Sequence, residues 1–235
     1  MANRSAKPPE VRAPGRVAGQ ADSTSDPSRS VEVVSAATEV RGNMRRQLAG
    51  GILRLLGWSA VEGDPVPDRA VIVAAPHTSN WDFFLLILFA WRFDVSLSFM
   101  AKHTLFRGPM GPVMRAFGGV PVDRSRPGGL VGQLAEALAR TDRMGLVVPA
   151  EGTRAWRPHW KSGFYRVAQV AGVPVSLSFL DYTDKIGGFG PCFEVTGDMK
   201  KDMDLVRSFY SDKRGRHPAL FGPVVLADEE AARIE

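Results

Sequence analysis

A single cysteine, Cys192, is all the thiol chemistry that 235 residues carry. It excludes an internal disulfide and fits a reducing compartment. Long apolar runs are missing as well. The longest uncharged one, Phe83 to Trp91, falls well short of the ~20 residues that span a bilayer, and it reads as a buried core helix. The four histidines, His77, His103, His159 and His217, are scattered, and no Cys-rich spacing or Walker or dinucleotide glycine loop accompanies them. Neither a metal nor a nucleotide cofactor is therefore expected. Gly118-Gly119 and Gly187-Gly188 read as turn or close-packing glycines. No serine sits in a Gly-x-Ser-x-Gly elbow, so a nucleophilic hydroxyl would have to arrive with a substrate.

What is present is unevenly distributed. Residues 1–40 are rich in Ala, Pro, Ser, Gly, Arg and Asp and poor in large apolar side chains, the composition of a disordered tail. They show no apolar segment followed by a cleavage site, so no secretory signal is expected. Residues 41–60 place Met44, Leu48, Ile52 and Leu55 on one helical face, with Arg45, Arg46 and Arg54 elsewhere. Such a helix either lies on anionic lipid, with Trp58 at headgroup level, or packs on the domain that follows at 61–235. The net charge of +5 and pI near 9.6 suit acidic headgroups and phosphorylated donors. They would also suit nucleic acid, but no recognition motif or aromatic-basic array supports that partner.

The richest stretch is Ala75-Pro76-His77-Thr78-Ser79-Asn80-Trp81-Asp82. The apolar run Val71 to Ala75 predicts a buried strand that Pro76 stops, so that His77 emerges at its carboxyl end. Thr78, Ser79 and Asn80 are all helix-cap residues. A helix starting near Asn80 puts Asp82 in its first turn, from which it can turn back to orient the His77 imidazole. That pair is a general base and its orienting acid. A structural histidine beside a helix cap would share the same spacing.

Three further segments follow in order. Phe117 to Arg124 is a short apolar strand that ends on an arginine after a glycine pair. Leu146 to Arg154 runs a buried strand into Glu151-Gly152-Thr153-Arg154, and Val173 to Leu180 is a Val-Pro strand. Together with the His-x4-Asp segment, they resemble the four ordered blocks of the glycerolipid acyltransferases, the family of 1-acylglycerol-3-phosphate acyltransferase. The likeness covers roughly Val71 to Leu180. Met100 to Phe106, which contains Lys102, is similar to the family's lysine-led segment between the first two blocks, and Trp160-Lys161-Ser162-Gly163 to its lysine-glycine helix start. Where the family usually has Phe-Pro before Glu-Gly, this chain has Pro149 and Ala150.

The resemblance implies an O-acyltransferase. In it His77 deprotonates an acceptor hydroxyl, Asp82 orients His77, and the acyl group comes from a thioester on coenzyme A or acyl carrier protein as co-substrate. Arg124 is the candidate for an acceptor phosphate, since a guanidinium fork binds phosphate bidentately. Its alternative is a surface pair with Asp123 or Glu151. Gly152, Thr153 and Arg154 would close the acceptor side, with Lys102 and Lys161 as further binding residues, and Glu151 either joins them or braces Arg124 or Arg154. Backbone amides at the helix start after His77 are the candidate oxyanion donors. The favoured acceptor is 1-acylglycerol-3-phosphate; a glycolipid or an amino-acid lipid is the alternative, and a catalytically idle lipid-binding protein is another. The expected location is cytoplasmic, peripheral on the inner face of the cell membrane.

Strands are expected at 71–75, 95–100, 119–123, 145–149, 173–180 and 192–196, and helices at 81–91, 109–117, 129–140, 163–171 and 200–212. This alternation predicts a single-domain αβα sandwich with a mostly parallel sheet. The candidate residues would then share the rim at the strands' carboxyl ends, where open α/β sheets bind ligands.

Overall fold

The structure, a computed structural model, describes residues 42–123 and 129–231. The proposed tail at 1–40 and Arg124 lie outside the described residues. After helix α1 at 42–55 come β1 (Ser59–Val61), β2 (Arg69–Ala74), α2 (Trp81–Arg92), β3 (Leu97–Lys102), α3 (Met110–Ala116) and β4 (Gly119–Val122). Then follow α4 (Gly129–Ala139), β5 (Met144–Pro149), α5 (Gly163–Ala171), β6 (Val175–Asp181), β7 (Ile186–Phe193), α6 (Met199–Tyr210) and α7 (Ala227–Ala231).

The strands form one seven-stranded sheet in the order β1-β7-β6-β2-β5-β3-β4. β6, β2, β5, β3 and β4 run parallel, and β7 turns back antiparallel beside β6, with β1 parallel to it. The central strands β2 and β5 carry buried apolar side chains at consecutive positions because both of their faces are covered. On one face Val71, Val73, Leu146, Val148 and Leu177 meet Leu138 of α4, Phe164 and Val167 of α5 and Met203 of α6. On the other, Ile72 and Val147 meet Leu86 and Ala90 of α2. Leu53 of α1 joins Trp58, Leu85, Phe89 and Leu180 on α2's side. The expected αβα sandwich with a mostly parallel sheet is the fold observed.

Besides α7, which the sequence reading also omits, one region departs from expectation. In place of a strand at 192–196, β7 spans Ile186–Phe193, and β1, which the sequence reading omits, pairs with its first three residues. Gly187 and Gly188 are therefore strand residues and not a turn. They are pressed close: a Cβ on Gly187 would sit 2.6 Å from the Phe89 ring, and one on Gly188 would collide with the Val61 carbonyl. Glycine here lets α2 and β1 approach the strand, a packing demand that outweighs its poor strand propensity.

α1 packs through Ala49 and Leu53, which are buried, while Met44, Leu48 and Leu55 stay exposed, Leu55 at 87%. The Gly50-Gly51 pair does not interrupt the helix.

Candidate active site

β2 and β5 are neighbours whose ends are in register, Ala74 opposite Pro149. The segments leaving them, with His77 and with Glu151-Gly152-Thr153-Arg154, therefore start side by side. β3 and β4 follow in the sheet, so Lys102, the last residue of β3, and Asp123 emerge on the same rim.

His77 Nδ1 lies 3.4 Å from Asp82 Oδ2. Asn80 takes the N-cap position of α2 without a side-chain cap bond. Asp82 reaches back instead, its Oδ2 accepting the amides of Thr78 and Ser79, each at 2.8 Å. Its Oδ1 accepts the Tyr182 hydroxyl at 2.6 Å. Burial alone would push the Asp82 carboxyl up, but the hydrogen bonds from His77, Tyr182, Ser79 and Thr78 outweigh it and hold the group below its ordinary value. A charged carboxylate is thus kept 4% exposed beside the imidazole. With Nδ1 facing Asp82, the histidine's Nε2 is the nitrogen left to take a proton from a substrate.

The amides expected to serve an oxyanion are partly spent in this turn: those of Thr78 and Ser79 on Asp82, and that of Trp81 on Ser79 Oγ at 3.2 Å. Thr78 Oγ1 accepts the His217 amide at 3.1 Å, tying the turn to the segment beyond α6.

Glu151 serves the backbone of the histidine loop. Its Oε1 accepts the backbone N–H of His77 at 2.7 Å, and among the described residues its buried Oε2 has no hydrogen-bond partner. Burial pushes its carboxyl up to about 7 against the pull of His77. It braces the histidine loop, not Arg154, whose guanidinium donates to Asn80 Oδ1. Gly152 has φ +68°, and a Cβ there would sit 2.7 Å from Lys161 Cε. The Thr153 hydroxyl accepts the Ala155 amide at 3.3 Å and so caps its own loop. Despite Pro149 and Ala150, the turn closes, with the Gly152 amide donating to the Pro149 carbonyl at 3.0 Å and that of Lys161 to the Ala150 carbonyl at 2.9 Å.

A cavity of about 1280 Å³ opens on this rim. Its lining combines the polar His77, Asn80, Asp82, Gly152, Arg154 and Lys161 with the apolar Phe83, Phe84, Phe99, Met100, Val122 and Leu130. Such a lining offers apolar contact and cationic side chains within one cavity.

The sequence profile of the Acyltransferase family matches residues 59–176, half of the chain. The chain belongs to the acyltransferase family. Among solved structures, this acyltransferase is similar to the crystal structure of the 1-acyl-sn-glycerophosphate (LPA) acyltransferase PlsC from Thermotoga maritima. The TM-score is 0.52 and the identity 18%, over 77% of this chain and 84% of that one. At that identity the likeness is one of fold. No curated protein sequence matches it. Family membership implies an acyl donor and a lipid acceptor.

Tyr182 is the residue that sequence reasoning missed. It lies past the fourth block, and the only signal it gives is scarcity: the chain has three tyrosines. The other two, Tyr165 and Tyr210, also make buried hydrogen bonds, to Asp202 and to the Ser178 carbonyl.

Proposed function

We propose that this acyltransferase moves a fatty acyl group from a thioester, on coenzyme A or acyl carrier protein, to a hydroxyl of a lysophospholipid, with 1-acylglycerol-3-phosphate the favoured acceptor. The observation that carries this reading is the His77–Asp82 pair, 3.4 Å apart, on a cavity that joins an apolar wall to Arg154 and Lys161. His77 Nε2 takes the acceptor's proton as its oxygen attacks the thioester carbonyl carbon. Asp82 stabilises the resulting imidazolium. When the tetrahedral intermediate collapses, the carbon–sulfur bond breaks and the imidazolium returns the proton to the thiolate. No acyl-enzyme forms, and neither metal nor cofactor takes part. Arg154 and Lys161 bind the acceptor's phosphate, a role that the family resemblance also gives to Arg124, and Lys102 at the end of β3 belongs to the same rim.

The acyltransferase works at the cytoplasmic face of the cell membrane as a peripheral protein. No helix among the described residues is long and apolar enough to cross a membrane, and the exposed Met44, Leu48 and Leu55 beside Arg45 and Arg46 supply an amphipathic surface for anionic lipid. The test is to incubate the protein with labelled acyl-CoA, or labelled acyl carrier protein, and a total lipid extract. Label should appear in phosphatidate; label in a glycolipid or an amino-acid lipid would move the acceptor to that class, and no labelled lipid with either donor would sink the reading.

A further inference from the structure

One side chain from outside the four blocks reaches the catalytic pair. Tyr182 follows β6 in a turn with a pinned backbone. Asp181 Oδ1 accepts the amides of Thr183 and Asp184 at 2.8 and 3.3 Å, and its Oδ2 accepts that of Arg214 at 3.2 Å. The Tyr182 amide donates in turn to the Arg214 carbonyl at 2.9 Å. From this turn the phenol donates to Asp82 Oδ1 at 2.6 Å, the length of a charge-assisted O–H to carboxylate bond. The flank of its ring meets Trp58 edge-on, with centroids 4.9 Å apart at 90°. Trp58 also stands edge-on to Phe89 of α2 at 6.0 Å, and its amide donates to the Leu53 carbonyl at 2.8 Å, closing α1.

The two oxygens of Asp82 are served from different directions. Oδ2 takes two amides and faces His77, and Oδ1 takes the phenol. The terminal torsion of an aspartate is broad, and turning it about the Cβ–Cγ bond swings the two oxygens in opposite directions, so the amides on Oδ2 resist that turn from one side only. A donor on the second oxygen stops the turn. Around the pair, Glu151 adds a second carboxyl facing Asp82, and Arg216 is the cation acting on Tyr182.

We propose that Tyr182 is a positioning residue for acyl transfer, its hydroxyl setting the plane of the Asp82 carboxylate against His77, with Trp58 at the exit of α1 holding the phenol in place. This role rests on His77 being the base. It also ties the amphipathic helix to the reaction centre through two contacts, Trp58 to Tyr182 and Tyr182 to Asp82.

Tyr182→Phe keeps the ring and removes only the hydroxyl. Two readouts decide its effect. In the carbon-13 carboxyl titration of the whole protein, which needs no substrate, the Asp82 midpoint moves up in the variant, because one of the bonds holding it down is gone. In steady-state assays with palmitoyl-CoA and 1-acylglycerol-3-phosphate, kcat falls roughly tenfold or more with both KM values held, the size expected for one hydrogen bond to a charged group. A lost packing contact would lower the melting temperature without moving the Asp82 titration. Trp58→Phe, a smaller ring that keeps the cluster apolar, lowers kcat by itself and adds nothing in the Tyr182→Phe background. An unmoved Asp82 midpoint or an unchanged kcat in Tyr182→Phe overturns the role of Tyr182; equal losses from Trp58→Phe in both backgrounds remove Trp58 from it. Full turnover by His77→Ala would instead remove the base, while the titration still reported the Tyr182 bond.

Discussion

Glu151 and His77, 74 positions apart in sequence, are joined by a 2.7 Å hydrogen bond from the histidine's amide to the carboxylate. This bond couples the first and third sequence blocks through the backbone, leaving the imidazole free for chemistry. Its acceptor is a carboxyl 2% exposed, a costly place for a charge.

Glu151 gives the protein a pH signature. Burial raises its carboxyl from 4.5 to about 7. A raised folded-state value means that the stability this group contributes is complete below pH 4.5 and is lost as pH climbs to about 7, a loss of about 3 kcal/mol at 1.36 kcal/mol per pH unit. Glu151→Gln keeps an acceptor for the His77 amide and cannot ionise. Thermal melts between pH 4.5 and 8 should show the wild type losing stability relative to Glu151→Gln. Parallel curves would mean that the carboxyl is not carrying a buried charge.

His77→Ala should reduce kcat by about 10²–10⁴, the usual contribution of a positioned general base, with a melting temperature near that of the wild type. Asp82→Asn should be nearly as inactive and less stable as well, since Asp82 anchors the amides of Thr78 and Ser79. The Asp82 carboxyl is held below its ordinary value, so its stabilisation is present above the normal carboxylate range and fades as pH falls through the folded-state value. Acid unfolding of Asp82→Asn should therefore be less steep than that of the wild type; an identical acid profile would contradict the hydrogen-bonded, charged Asp82.

Gly152→Ala tests the turn between the third block and Lys161. Its φ of +68° is a left-handed conformation, which a side chain adopts at about 1–2 kcal/mol. The new methyl would also push Lys161 aside. The expected outcome is a lower melting temperature together with a raised KM for a phosphorylated acceptor, while KM for the acyl donor holds. Unchanged acceptor KM would take Lys161 out of the binding site.

Leu48→Glu with Leu55→Glu probes the free face of α1. Both side chains are exposed, so stability should be kept. Sedimentation with vesicles containing anionic phospholipid should lose the variant and retain the wild type. Equal pelleting would leave the helix as a packing element only.

The local pattern carried a large share of this protein. β-branched runs ending at Pro76 and Pro149 located the two strands that lead into His77 and Glu151, and spacing alone put Asp82 within reach of His77, because four intervening residues make one turn after a strand end. The parallel sheet followed from alternation, since strands without polar faces need helices on both sides. Other features depended on packing between distant segments. Gly187 and Gly188 read in sequence as turn or close-packing glycines, and Phe89 and Val61 pressing on them decide for close packing. Met44, Leu48, Ile52 and Leu55 form an apolar stripe in sequence, yet only the fold shows that α1 packs through Ala49 and Leu53 and leaves Met44, Leu48 and Leu55 exposed. The partners of Glu151 and Tyr182 lie 74 and 100 positions away. Periodicity reports which face a residue occupies; which buried oxygen meets which distant donor is settled only when the strands take their order in the sheet.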